Sequence, residues 1–200
     1  MDERRAQLLS LGLELFAERA YDEVSIDDIA SAAGVSKGLL YHYFGGKRAF
    51  YVACVDAAAE ELFERTAADL SLPEPLRVAS GIEAYFDYAH ENRTAYVALM
   101  RSGIGNDPEV ADVVERTRGR IVQRALAGMG MAEPRPVFRA AIRAWIGAVE
   151  AACLDWLLHG DVPRAGVVQM LLSGVWGILV AAKQLDPDAP FELGSPPHAD

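Results

Sequence analysis

The sequence predicts an all-α chain of about nine helices, three short ones forming an N-terminal unit and the other six a larger helical domain. Three observations carry that expectation. Apolar residues recur at helical spacing through most of the chain, and no segment shows the period-two alternation of a strand. Gly, Pro, Asn and Asp punctuate the periodic stretches where helices start and stop. Side chains able to cap a helix stand at several of those starts.

In order, the first helix runs from Glu3 to about Ala20, with Leu9, Leu13, Phe16, Ala17 and Ala20 on one face. Ser25 is an N-cap for the second, and Asp28 three residues on completes a capping box. Ile26, Ile29, Ala30 and Ala33 give this helix its apolar stripe. Gly34 stops it in a left-handed conformation and Ser36 caps the third. The third helix buries Leu40 and Phe44 and turns Lys37, Gly38, Tyr41 and His42 the other way, before Gly45-Gly46 breaks it. A fourth, long helix is expected from Lys47 to about Leu70, with Tyr51, Val55, Ala58 and Leu62 along one side and Pro73 and Pro75 ending it.

Val78, Ile82, Tyr85, Phe86 and Ala89 mark a fifth helix stopping near Asn92; Thr94–Arg101 forms a sixth. Asp107 then caps a seventh, with Pro108 at its first position and Val110, Val113, Val114, Thr117 and Ile121 carrying it to Gly128. The eighth spans Val137–His159 and places Phe138, Ile142, Trp145, Val149, Ala152 and Trp156 on one face. Asp161 is the expected cap of the ninth, which reaches about Leu185. Residues 186–200 hold four prolines and no apolar period, and are expected to be a disordered tail.

The second and third helices, joined by a short glycine-containing turn, make a helix-turn-helix, whose second member enters the DNA major groove. The stretch A-A-G-V-S-K-G-L-L-Y-H-Y-F-x-x-K from Ala32 to Lys47, behind a leading amphipathic helix, resembles the DNA-binding domain of TetR-type transcriptional regulators. The motif covers about the first 50 residues; the rest matches in length, helical character and helix order. The resemblance implies an all-α homodimer with a DNA-binding domain at 1–50 and a ligand-binding and dimerisation domain at 51–185. Such a dimer binds a palindromic double-stranded operator and leaves it when a small molecule occupies the larger domain.

Charge is compatible with this. The chain carries −10 overall, but Lys37, Lys47 and Arg48 stand in 35–48 without a single acid. Phosphate affinity depends on cations at the contact surface rather than on the chain total. Lys37, the charged side chain on the exposed face of the recognition helix, is the best candidate for reading a base, most easily guanine O6/N7. Gly38 allows close approach to a thymine methyl or the backbone. Ser25 offers a hydroxyl, and the second helix its first amides, to a phosphate; Ser36 is a cap beside the same surface. By resemblance, Tyr41 and Tyr43 reach phosphates, His42 lies beside the backbone, and Lys47 adds a charge. Tyr43 reads equally as a core aromatic, and Arg48 as a solvated side chain. Two features depart from the family: Leu39 replaces a small hydroxyl residue, and Asp27 and Asp28 would repel a phosphate. Either they turn away or Asp27 accepts from a cytosine N4 amine.

The family's effector pocket lies among helices four to eight, where Phe63, Tyr85, Tyr88, Tyr96, Met100, Trp145, Val149 and Glu150 are the candidates, alongside Phe86 and Trp156. The lining suits a mostly apolar effector, and Arg93, Arg101 and Arg118 stand ready to rim an entrance. Glu150, the one acid between Ala144 and Leu154, faces solvent, a partner subunit or a ligand, since burial without a partner is expensive. The ninth helix is apolar on nearly every side, which a second subunit would cover in a four-helix bundle. Cys153, Leu157, Val168, Leu171, Leu172, Val175, Trp176 and Leu179 are the expected interface; a core helix within a monomer is the other reading.

No cofactor or metal site is expected. Cys54 and Cys153 lack ligand spacing and read as buried thiols; the four histidines are dispersed. No P-loop, G-x-S-x-G, H-x-x-x-H or dinucleotide glycine pattern supports an enzyme. No stretch reads as long and apolar enough to span a membrane, and Met-Asp-Glu-Arg-Arg lacks a signal peptide's apolar run, so a cytoplasmic protein is expected. A helix-turn-helix protein whose second domain only dimerises, or binds another protein, is the competing reading.

Overall fold

In the computed structural model the described residues are 3–69, 71–101, 107–131, 133, 135–190 and 192. Nine α-helices are found among them: α1 Glu3–Glu18, α2 Ile26–Ala32, α3 Lys37–Phe44, α4 Lys47–Arg65, α5 Glu74–Glu91, α6 Arg93–Arg101, α7 Pro108–Gly128, α8 Pro136–His159 and α9 Arg164–Leu185. A 3₁₀ turn at Tyr21–Glu23, which no sequence signal announced, joins α1 to α2. The all-α expectation holds.

The chain divides into two compact units: residues up to Glu64 with Tyr88–Glu115, and Arg65–Asp87 with Arg116–Asp200. The core of the first is not confined to the first fifty residues. Leu8, Leu9, Phe16, Val24, Ile29, Leu40, Phe44, Phe50, Tyr51 and Cys54 are joined in it by Val110 and Val113 of α7. The buried stripe of α1 runs through Leu8, Leu9, Gly12 and Phe16, rotated from the expected one, with Leu13 only partly buried. Gly12 explains the rotation: a Cβ there would lie 2.5 Å from both Cys54 Sγ and Phe50 Cζ, so α4 fits against α1 only where a side chain is missing.

α4 ends at Arg65, short of the expected Leu70. The end is fixed by side chains rather than by Pro73. Arg124 donates to the Thr66 carbonyl (3.0 Å) and hydroxyl (2.9 Å), and Asp69 accepts from the Ser71 amide (2.9 Å).

In the second unit, α8 and α9 form an extended pair. Phe138, Ile142, Ile146, Val149, Cys153 and Leu157 are the buried stripe of α8, so Trp145, Ala152 and Trp156 flank it instead of belonging to it. Asp161 does not cap α9. Pro163 is the N-cap residue, with no side-chain cap; its fixed φ already matches a helix entry and its carbonyl accepts from the Gly166 amide. The start of the expected tail is held: Arg135 grips Asp186 through two bonds of 2.5 and 2.6 Å and donates to the Asp188 carbonyl, while Ala189 is buried. Residues 191 and 193–200 of that tail lie outside the described residues, as do Ser102–Asn106.

The expectation that no stretch is long and apolar enough to span a membrane is also overturned. α9 is, by length and composition alone, apolar enough to cross a membrane, and only 22% of that stretch is buried in the chain. Its Gly, Ser and Gln residues had masked the run of Val, Leu, Ile, Met and Trp around them.

Candidate nucleic-acid interface

The helix-turn-helix is built by local chemistry. The Asp28 amide donates to Ser25 Oγ (3.1 Å), and the Ser25 amide donates to Asp28 Oδ2 (2.7 Å), closing the capping box. The Ser25 hydroxyl also donates to Asp28 (2.7 Å), so its one proton is committed within the cap. This bond, reinforced by Arg19, holds the Asp28 carboxyl below its ordinary value. Gly34 turns the chain at φ +60°, where a side chain would be strained, and the Leu39 amide donates to Ser36 Oγ (3.2 Å) to start α3. Gly45, at φ +77°, ends it.

α3 then presents two faces. Leu40 and Phe44 are buried; Lys37, Gly38, Tyr41 and His42 are exposed, with Tyr41 51% accessible. Tyr43 is half-buried, its ring 5.5 Å from His42 and 6.2 Å from Phe44, so both of its sequence readings are partly met. A Cβ on Gly38 would meet only Ser36 Oγ, at 3.8 Å, and Gly38 has an ordinary helical φ. Among the described residues, nothing requires a glycine there.

The cations are held in ways the sequence did not disclose. Lys37 Nζ lies 2.5 Å from Asp27 Oδ1, so Asp27 turns toward the recognition helix rather than away. Lys47 Nζ sits 4.0 Å above the centre of the Tyr21 ring. Arg48 is not merely solvated: its guanidinium takes Asp107 through two bonds of 2.6 and 2.7 Å and Glu109 through a third of 2.6 Å. That grip pulls the Asp107 carboxyl below its ordinary range and raises the Arg48 guanidinium. Asp107 also accepts from the Glu109 amide (3.0 Å), capping α7 while it anchors α4. Tyr21, Asp27, Asp107 and Glu109 were missed as partners because no periodicity links residues 10 to 61 positions apart.

The effector candidates separate between the units. Phe63, Tyr88, Tyr96 and Met100 belong to the first, where Tyr88 and Tyr96 are buried and the Tyr88 hydroxyl donates to the Ala58 carbonyl (3.0 Å). Tyr85, Trp145, Val149 and Glu150 belong to the second. There Trp145 donates its indole N–H to the Leu171 carbonyl (3.1 Å), fastening α8 to α9, and Phe86 packs on Trp156 at 5.5 Å. Glu150 has a partner within its own chain that the sequence did not disclose. Arg118 holds it through two bonds of 2.8 and 2.6 Å, half-buried on both sides.

The interface candidates divide too. Cys153, Leu157, Val168 and Leu171 are buried within their own chain. Leu172, Val175, Trp176 and Leu179 are half-buried. The exposed positions of α8 include Ala140, Ala144, Ala148 and Ala151, and those of α9 include Gly166, Met170, Gly174, Gly177 and Ala181. Exposed surface on this pair is largely small-residue surface, which carries no large apolar side chain to mark it in the sequence.

Residues 8–54 match the family described as bacterial regulatory proteins, tetR family, and residues 74–178 match the tetracyclin repressor-like C-terminal domain. A crystal structure of a tetR-family transcriptional regulator from Streptomyces coelicolor is similar at a TM-score of 0.83 and 33% identity, covering 94% of this chain and 85% of that one. The HTH-type transcriptional activator FasR of Mycolicibacterium smegmatis is 33% identical over 116 residues, 57% of this chain. That match spans only 53% of FasR. The HTH-type transcriptional repressor KstR2 of Rhodococcus jostii is 25% identical over 173 residues, 86% of this chain and 76% of the relative.

Proposed function

The chain belongs to the TetR family of bacterial regulatory proteins, and from that premise we propose that it is a DNA-binding transcriptional repressor, released from a palindromic operator by a small, largely apolar effector. The observation that carries the reading is the exposed face of α3. Lys37, Gly38, Tyr41 and His42 are held outward by the burial of Leu40 and Phe44, and Gly38 has no reason within the fold to lack a side chain. A surface that must approach another backbone supplies one. Lys37 reads a base, while Tyr41, Tyr43 and Lys47 meet phosphates; Ser25 and Ser36 serve as the caps that aim α2 and α3. Its work on DNA places it in the cytoplasm.

The protein acts as a homodimer through α8 and α9. Small exposed residues on both helices let two copies approach closely, and Leu172, Val175, Trp176 and Leu179 supply the half-buried apolar margin. Such a partner also accounts for the low burial of α9 in one chain. The effector binds in the second unit near Tyr85, Val149 and Trp156, with the Arg118–Glu150 pair as its polar group. Activation is a second reading, favoured by one observation: FasR is named an activator.

A melting-shift screen with hydrophobic compounds, followed by titration against genomic fragments captured by the protein, tests this. A hit must weaken fragment binding by the same factor by which the fragment weakens the hit. Fragment capture with no hit from the screen would instead favour a dimeric DNA-binding protein whose second domain contacts another protein.

A further inference from the structure

All six cations of the first fifty residues have an internal partner. Arg4 donates to Gln7 (3.2 Å), Arg5 lies over Phe44, Arg19 reaches Asp28, Lys37 pairs with Asp27, Lys47 covers Tyr21 and Arg48 holds Asp107 and Glu109. Where the partner is a carboxylate, as for Lys37, binding a phosphate means bringing a second anion to an ammonium that already holds one. Among these pairs the Lys37–Asp27 contact stands apart, because Lys37 opens the recognition helix and both side chains are more than half exposed, 53% and 64%. An ion pair so exposed adds little to stability. Its consequence is for what Lys37 can bind.

We propose that Asp27 is a specificity-determining residue, which through its ion pair withholds Lys37 from phosphates and yields it only where the DNA offers a guanine acceptor and a cytosine amine together. The proposal rests on the DNA-binding reading above and deepens it. A phosphate can take the lysine, but it leaves the Asp27 carboxylate beside a second anion, and that repulsion cancels much of the gain. A G·C pair in the major groove presents guanine O6 and N7 to the ammonium and the cytosine N4 amine to the carboxylate, so both halves of the pair are satisfied. An A·T pair offers an amine but no matching pair of purine acceptors for the lysine. The two side chains thus read as one donor–acceptor unit, with the carboxylate acting against wrong sites as much as for the right one.

The test uses the full chain, a duplex enriched by the wild type from a random library, and a scrambled duplex of equal length. Asp27→Asn, Asp27→Ser, Lys37→Ala and Asp27→Asn/Lys37→Ala are titrated by fluorescence anisotropy from about 50 to about 200 mM salt. Melting curves run alongside certify folding, and the two substitutions at Asp27 guard against an effect peculiar to one of them. With Asp27 replaced, affinity for the scrambled duplex rises about threefold or more and its salt slope steepens by about 0.9, the counterion released by one newly available lysine. The operator-to-scrambled ratio falls about tenfold, the cost of about one base-pair discrimination. Reselection with Asp27→Asn loses its G·C preference at one position per half-site. In the Lys37→Ala background the effect on slope disappears. Unchanged scrambled affinity, slope and selected sequence at both substitutions would overturn the proposal while leaving the regulator intact. So would an effect of Asp27→Asn that persists without Lys37. A wild type that binds DNA but enriches no sequence would overturn the regulator reading itself.

Discussion

Gly38 and Gly12 are both helical glycines, and the space around them separates two kinds of constraint. At Gly38 the fold has room, so Gly38→Ala should leave melting unchanged or raise stability by roughly 0.5–1 kcal/mol, while operator affinity drops. At Gly12 the room is filled by Cys54 and Phe50, and Gly12→Ala should destabilise the first unit by about 1–3 kcal/mol in chemical denaturation. Cys54 is accordingly inert, its thiol pushed up to about 12 by burial. The carboxylates make a second residue-scale prediction. Asp28 and Asp107 are held below their ordinary 3.8 by Ser25 and Arg48 respectively. A lowered folded pKa contributes stability above the ordinary value and loses it as pH falls through the folded one. Arg48→Gln should therefore melt below wild type at about pH 7, and the gap should close as the solution is acidified past about 3.8. A constant gap at all pH values would remove Asp107 from the account.

At the scale of elements, Arg48 ties the first turn of α4, directly after the recognition helix, to the cap of α7. α7 is one continuous helix that begins in the first unit and ends in the second. If the proposed effector shifts α7, the Arg48 ion pairs are where that shift would meet the first turn of α4. Arg48→Ala should keep operator affinity within a few-fold yet reduce the effector's ability to release DNA, read as the ratio of affinities with and without effector. Helix existence and most boundaries were legible in the sequence, because Ser25, Asp28, Gly34, Ser36, Gly45, Pro108 and Gly160 act on residues within four positions of themselves. What was hidden came from side chains meeting across the chain. Arg124 ended α4 early, Gly12 rotated the stripe of α1, and Asp186 was tied to Arg135. The same division runs through the interface: α3's exposed face followed from its periodicity, while the partners of Lys37, Lys47 and Arg48 did not.

For the whole molecule, the account requires two chains. Among the described residues, nothing beyond the local helix backbone comes within 4 Å of a Cβ built on Gly174 or Gly177, so Gly177→Glu should leave a folded monomer with unchanged helicity. Sedimentation at micromolar concentration should show wild type as a dimer and this variant as a monomer with little affinity for a full palindrome. A variant that still dimerises would move the interface off α9 and leave the low burial of that helix unexplained.

Sequencing of duplexes retained by the purified wild-type protein from a random library tests the central claim most directly. Two recognition helices on a two-fold axis predict an inverted repeat whose half-site centres lie about one helical turn apart, roughly 34–36 Å, or a multiple of it. The Lys37→Ala protein, folded and dimeric, should return a library with that repeat weakened or erased. Enrichment of no sequence, or of an identical repeat by Lys37→Ala, would contradict the account.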